Sequence, residues 1–302
     1  MQITLTGATG FIGRRMVKRL IEDSHTLRLL ARHPPAQADD AKAEERVRWF
    51  AWDSMDGAPP PESLEGADAV VNLMGEPVAQ RWSDAVKDRI RASRVAGTEN
   101  LVAGLRATAR PPRTLVSASA IGIYGSRGDE ALSEDSTLGT DFLARVCGDW
   151  ERAAREAESL GARVVTPRIG LVLGHGGALS KMLPPFRAGL GGRIASGRQW
   201  TSWIHLDDLV GLIAFALGCD SLRGPVNATA PNPVTNADFT RALSKVLHRP
   251  AVIPIPALAL RLLFGEMAQV VLASQRVLPE AANAAGYRFA YPELEAALRQ
   301  IL

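Results

Sequence analysis

The sequence predicts an α/β protein: a doubly wound parallel sheet with a smaller, mostly helical part toward the C-terminus. Three observations carry this reading. Short apolar runs alternate with helical patterns through the first half, as consecutive βαβ units do. The first run passes straight into the glycine turn Gly7-Ala8-Thr9-Gly10-Phe11-Ile12-Gly13 and then into a helical pattern. From residue 235 onward helical patterns dominate. A chain of 302 residues can bury a full α/β core and a second, smaller one.

Taken in order, residues 1–6 read as a buried strand and residues 14–21 as a helix with apolar positions at helical spacing. Residues 27–31, 47–51, 69–73, 114–117 and 163–166 are the next apolar runs of strand length. Helical patterns are clearest at 83–106 and 140–160. The polar residues 39–45 suggest a loop or short helix, and Pro59-Pro60-Pro61 a turn or stiff connection. Past Arg168 the texture changes. Residues 175–197 are rich in glycine and contain Pro184-Pro185, so they read as loop. A helix returns at 207–217, with Asp207 and Asp208 at its start, where acidic residues suit the helix dipole. Residues 226–228 and 251–255 look like further strand pieces. The apolar stretch 256–273 is interrupted by Arg261, Glu266 and Gln269, so an amphipathic helix is expected there and not a membrane span.

Composition narrows the partners. The 35 Lys and Arg are spread among 32 Asp and Glu, and no block of basic residues tracks a phosphate backbone. No nucleic acid or membrane is expected. The densest basic stretch, residues 89–94, reads as a solvated helix face. Cys147 and Cys219 are too few for a disulfide framework and lack metal-ligand spacing. Met1 leads directly into a strand without a signal peptide, and a cytoplasmic location is expected.

The glycine turn carries chemistry because strand, turn and helix occur in that order. Gly7 permits the sharp turn, Gly10 clears the approach of a pyrophosphate, and Gly13 lets the helix pack close. Thr9, Phe11 and Ile12 complete the expected contact. The helix N-terminus offers its free N–H groups to phosphates. The second strand ends Leu29-Leu30-Ala31-Arg32-His33, with no carboxylate to take a ribose 2′-hydroxyl. Arg32 suits a 2′-phosphate, so the expected cofactor is NADP. Asp53, after the third strand, either accepts from the adenine amino group or closes a turn. Residues 1–170 with 205–230 would form the nucleotide-binding domain. Residues 171–204 with 231–302 would form the substrate-side domain, holding a small molecule; the oligomeric state stays open.

These residues resemble the extended short-chain dehydrogenases/reductases, the NAD(P)-dependent epimerases and dehydratases built on a Rossmann sheet. Asn72-Leu73-Met74-Gly75, Gly97-Thr98, Ser117-Ala118-Ser119 through Tyr124-Gly125, Pro167-Arg168 and Trp203-Ile204-His205-Leu206-Asp207-Asp208 carry the resemblance, which spans nearly the whole chain. Cys147-Gly148-Asp149-Trp150-Glu151 and Gly265-Glu266-Met267 are similar to an atypical subgroup called epimerase family proteins. The resemblance implies cofactor contacts from Leu73, Gly75, Ser117 and Pro167, and a catalytic hydroxyl at Ser119. It also implies a Tyr and a Lys four residues apart on one helix face, and no tyrosine here has that partner. Leu143 and Cys147 fall near those positions. Tyr124 has the right functional group for proton transfer, and His205 is a further candidate base. Cys147 reads as a packing residue. Trp200, Trp203 and Phe186 either wall a substrate pocket or belong to core.

Overall fold

The structure, a computed structural model, describes residues 1–35 and 46–302. The polar stretch 39–45 lies outside the described residues. Seven strands make the main sheet: β1 (Gln2–Thr6), β2 (Thr26–Ala31), β3 (Val47–Ala51), β4 (Ala69–Asn72), β5 (Thr114–Ser117), β6 (Arg163–Ile169) and β7 (Gly224–Ala228). Their order in space is β7-β6-β5-β4-β1-β2-β3, and neighbours run parallel throughout. A two-residue strand, Ser119–Ala120, adds a further pairing to β6. The chain winds outward from β1 in one direction and then from β4 in the other. A crevice therefore opens beyond the carboxyl ends of β1 and β4, where ligands of such sheets bind.

Helices cover both faces. They are α1 (Phe11–Glu22), α2 (Asp84–Arg106), α3 (Phe142–Arg155), α4 (Gly177–Arg187), α5 (Leu206–Gly218), α6 (Asn236–Leu247), α7 (Ala257–Phe264) and α8 (Leu294–Ile301), besides shorter turns. Every residue of β4 and β5 is buried, which is why those strands read as continuous apolar runs without alternation. On one face Ile3, Leu5, Met16 and Leu20 pack with Leu209 and Ile213 of α5. On the other, Val70 and Leu115 pack with Leu101 and Leu105 of α2 and Ala154 of α3. The Ser83 hydroxyl caps α2 by accepting from the Val86 N–H, and the Asp141 carboxylate caps α3 by accepting from the Ala144 N–H.

A separate apolar cluster joins Leu173, Leu179, Phe186, Trp203, Phe239, Leu243, Leu298 and Ile301. It unites α4, α6 and α8 with the short paired strands Leu171–Leu173 and Trp203–His205.

Three local expectations need correction. Residues 177–187 form a helix, not a loop, although Pro184 and Pro185 lie inside it. Burial of Leu179 and Phe186 in the second cluster outweighs the lost helix bonds. Residues 251–255 form no strand. They run beside 191–195 through single bonds, and Gly192 is needed there because a Cβ would lie 1.7 Å from the Ile253 carbonyl oxygen. The stretch 256–273 is not one helix. It breaks at Gly265, which has φ +61°, into α7, a 3-10 turn and the short helix Ala268–Leu272. No helix among the described residues is long and apolar enough to cross a membrane.

Candidate functional site

The glycine turn sits at the carboxyl end of β1. Gly7 has φ +72°, and a Cβ there would lie 2.6 Å from the Leu73 carbonyl oxygen. A Cβ on Gly13 would lie 2.0 Å from the Gly7 carbonyl oxygen, so only glycine lets α1 stand this close to the turn. Gly10 is different. It is exposed, and the only atom an added Cβ would approach is the Gly7 oxygen, at 3.2 Å. Gly10 is also the N-cap of α1, with no capping side chain and no acidic residue in the first turn. The uncapped N–H groups and the positive dipole end thus lie beside open space. This fits the pyrophosphate of a dinucleotide. Thr9 is exposed, and Phe11 and Ile12 are half-buried. The Phe11 ring lies against Gly174, Gly176 and Gly177, where added Cβ atoms would come within 3.0, 3.1 and 2.9 Å of it. Sequence reasoning missed the Gly176 and Gly177 side of this contact.

The strand ends are tied by side chains. The Thr6 hydroxyl donates to Asn72 Oδ1 (2.7 Å), and Asn72 Nδ2 donates to Thr98 and to Ser117 (both 3.0 Å). Trp150 Nε1 donates to the same Thr98 oxygen (3.0 Å). The Ser117 hydroxyl is wholly buried in this network, and Pro167 is buried in β6. Leu73 is half-buried and Gly75 exposed, both just past β4. Arg32 is exposed at the end of β2. Asp53 closes a turn, with Oδ1 accepting from the Met55 N–H (3.0 Å).

The two expected catalytic hydroxyls are brought together, but by a buried ion pair. Arg168 donates from Nε and Nη2 to the two oxygens of Glu151 (2.8 and 3.0 Å). The side chains are 5% and 6% exposed. The Ser119 hydroxyl donates to Glu151 Oε1 (2.7 Å), and Ser119 is itself buried. The Tyr124 hydroxyl accepts from Arg168 Nη1 (2.9 Å) and donates to Asn227 Oδ1 (2.6 Å). Burial works against the Arg168 charge, but the bonds and charge of Glu151 hold the guanidinium protonated. Burial pushes the Tyr124 phenol above its ordinary pKa, with Arg168 only partly offsetting it. Tyr124 is 0% exposed. The structure thus places the hydroxyl expected to give a proton to substrate inside the core, bonded to Arg168 and Asn227.

Cys147 is buried, and burial pushes its thiol up to about 12, so it packs as a neutral group. His205 is structural. Its Nδ1 accepts from the Asp207 N–H (3.1 Å), its Nε2 pairs with Gln300 (2.8 Å), and its ring lies on Tyr291. Trp203 and Phe186 are core, whereas Trp200 is half-buried, with Nε1 donating to Asp129 (2.9 Å). Arg94, read from sequence as part of a solvated face, instead turns inward beside Gly75 and Trp150. A depression lined by Arg113, Thr114, Arg163 and Asp220 lies at the amino ends of β5 and β6, the wrong end of the sheet for a ligand. No metal-ligating cluster occurs among the described residues.

Comparison with known proteins agrees with this geometry. Residues 255–301 match a domain of unknown function (DUF1731). The epimerase family protein SDR39U1 homolog, chloroplastic, of Arabidopsis thaliana is 44% identical over 309 residues, covering 100% of this chain and 87% of that protein. Epimerase family protein YfhF of Bacillus subtilis is 37% identical, covering 100% and 98%. The crystal structure of human epimerase family protein SDR39U1 (isoform 2) with NADPH superposes with a TM-score of 0.87 at 34% identity, covering 100% and 99%. More distant neighbours, such as MoeE5 with UDP-glucose and NAD at 18% identity and TM-score 0.78, share the fold. Residues 3–226 match the model of the NAD dependent epimerase/dehydratase family, and the chain belongs to that family.

Proposed function

We propose that this protein binds NADP(H) and acts as an oxidoreductase or epimerase-like enzyme on a small polar substrate. The observation that carries the cofactor is the uncapped α1 N-terminus beside open space at Gly10, with exposed Arg32 in place of a carboxylate at the end of β2. The N–H groups of the first turn of α1 hold the pyrophosphate, and Arg32 pairs with the 2′-phosphate. Human SDR39U1, similar over its whole length, is a protein crystallised with NADPH, which supports the same choice. Bound NADP(H) supplies hydride transfer, and the protein orients the partners. Leu73, Gly75 and the ends of β4 and β5 border the other half of the cofactor, because β2 takes the adenosine side of the switch point. A second reading is a catalytically silent NADP(H) sensor. The engagement of Ser119 and Tyr124 in the Glu151–Arg168 joint favours it, as does the lack of a Tyr–Lys pair.

Calorimetry tests the cofactor. NADPH should bind more tightly than NADH, and Arg32→Ala should weaken NADPH by about tenfold or more, as the loss of a charge-assisted phosphate bond does. NADH affinity should stay unchanged. Equal affinities in the parent protein refute the assignment. Oxidation of NADPH against a panel of small carbonyl compounds then separates enzyme from sensor.

A further inference from the structure

Arg94 lies beside the crevice and serves neither the expected cofactor contacts nor an ion pair among the described residues. It sits in α2, on the β4 side of the switch point, opposite the side where Arg32 stands. Its guanidinium is held in place. Nη1 donates to the carbonyl oxygens of Glu76 (3.0 Å) and Ile90 (3.2 Å). Its Cζ lies over the Trp150 ring, 5.2 Å from the centroid, and Trp150 is itself pinned by its bond to Thr98. Gly75 makes room for it: a Cβ there would lie 3.0 Å from Cζ, 3.1 Å from Nη2 and 3.4 Å from Nε.

What the guanidinium lacks is an anion. No carboxylate among the described residues comes within ion-pair distance of it. Glu76, whose charge Arg94 feels, turns its carboxylate to Gln80 (3.1 Å) and Arg89 (3.9 Å). Cys147, close enough to feel the charge, stays a protonated thiol. Burial lowers the Arg94 pKa, so the charge is held at a disadvantage. Nε and Nη2, the two donors on one edge of the fork, bond to no described residue. Buried charges are ordinarily paired, as Arg168 is by Glu151.

We propose that the Nε/Nη2 edge of Arg94 is the substrate anchor of the crevice and takes a planar carboxylate, so that the substrate is a small carboxylic acid. The two parallel donors match the two oxygens of a carboxylate, which a lysine could not do. The stacked, doubly tethered guanidinium is pre-organised, so little freedom is lost when the anion docks. Gly75 and Arg94 then act together: one borders the cofactor, and the other fixes the acid group beside it. This rests on the NADP(H) reading given above.

The test uses the full chain saturated with NADP+. Calorimetric titration compares acetate, benzoate, lactate and succinate with the corresponding neutral amides. At least one carboxylate should bind while its amide does not. Arg94→Gln should weaken that carboxylate by about tenfold or more, in line with a lost charge-assisted bond. Arg94→Lys should recover only part, because it keeps the charge and loses the fork. NADPH affinity should be unchanged in both variants, and circular dichroism should show both folded. If every carboxylate binds no better than its amide, or Arg94→Gln binds them as the parent does, the proposal is overturned. Loss of NADPH affinity in Arg94→Lys and Arg94→Gln alike would make Arg94 a cofactor ligand and also overturn it. Failure of the parent protein to bind NADPH would instead remove the reading on which it rests.

Discussion

Tyr124→Phe separates a structural hydroxyl from a catalytic one, and the two roles predict opposite readouts. The substitution removes one oxygen and leaves the ring in place. That oxygen donates to Asn227 Oδ1 at 2.6 Å and accepts from Arg168 Nη1 at 2.9 Å. Arg168 Nη1 keeps a second acceptor, the Glu134 carbonyl oxygen at 3.0 Å, so it is not stranded. Asn227 is 0% exposed, and its Oδ1 has no other donor among the described residues. A buried acceptor left without its donor costs about 1–3 kcal/mol. At about 2.1 cal/mol/K per residue, unfolding 302 residues carries an entropy near 0.6 kcal/mol/K if it occurs as one transition. Tm should therefore fall by about 2–5 °C. Differential scanning calorimetry reads the shift, and titration with NADPH should find the affinity unchanged. An unchanged Tm would refute the argument, and lost turnover at an unchanged Tm would restore Tyr124 as the proton donor.

Three more outcomes follow from the same geometry. Glu151→Gln leaves Arg168 buried without a counter-charge and should cost about 3–5 kcal/mol, as broken buried pairs do; a urea midpoint close to the parent's would contradict it. Gly10→Val should abolish nucleotide binding while circular dichroism stays native, because the added side chain enters the open approach to α1. A folded variant that still binds NADPH would place the phosphates elsewhere. Cys147 should resist alkylation in the native protein at about pH 8 and react once urea is added, since only the thiolate is reactive. Its thiol stays protonated to about 12 when folded, while the unfolded chain ionises it at the ordinary, lower value. Above about pH 9 the unfolded state loses the proton first, so this residue makes stability fall as pH rises. Rapid labelling of Cys147 in the native state, or a loss of NADPH binding in Cys147→Ala, would count against the packing role.

The central strands of the main sheet were legible because burial on both faces writes an unbroken apolar run, as in Ala69-Val70-Val71. The cofactor turn was legible because its glycines fall between a strand and a helix at a fixed short spacing, and Gly13 is demanded by the Gly7 carbonyl six residues earlier. The helix at 177–187 was not, since packing of Leu179 and Phe186 overrides two prolines whose local meaning is the opposite. The Tyr124–Asn227 bond joins positions with no local pattern in common, so Tyr124 kept its apparent fitness for catalysis until the fold was known. Arg94 did leave a trace. Ile90, Thr98 and Leu101 are buried on its side of α2, so the arginine falls on the apolar stripe and not on the solvated face. Counting charges along residues 89–94 hid that periodicity.

The contact of Phe11 with Gly174, Gly176 and Gly177 has a meaning for how such a chain can diverge. Those three glycines present bare backbone to the ring, and a Cβ at any of them would need the ring to move. One aromatic residue in the glycine turn thus adds a constraint on a segment far along the chain, at the entrance to α4. A smaller side chain at position 11 would relieve that contact alone, since Gly176 and Gly177 have φ +140° and +57°, and a Cβ on Gly174 would still lie 3.1 Å from the Leu206 Cβ. The two stretches are thus coupled through a packing contact, which needs no shared ligand.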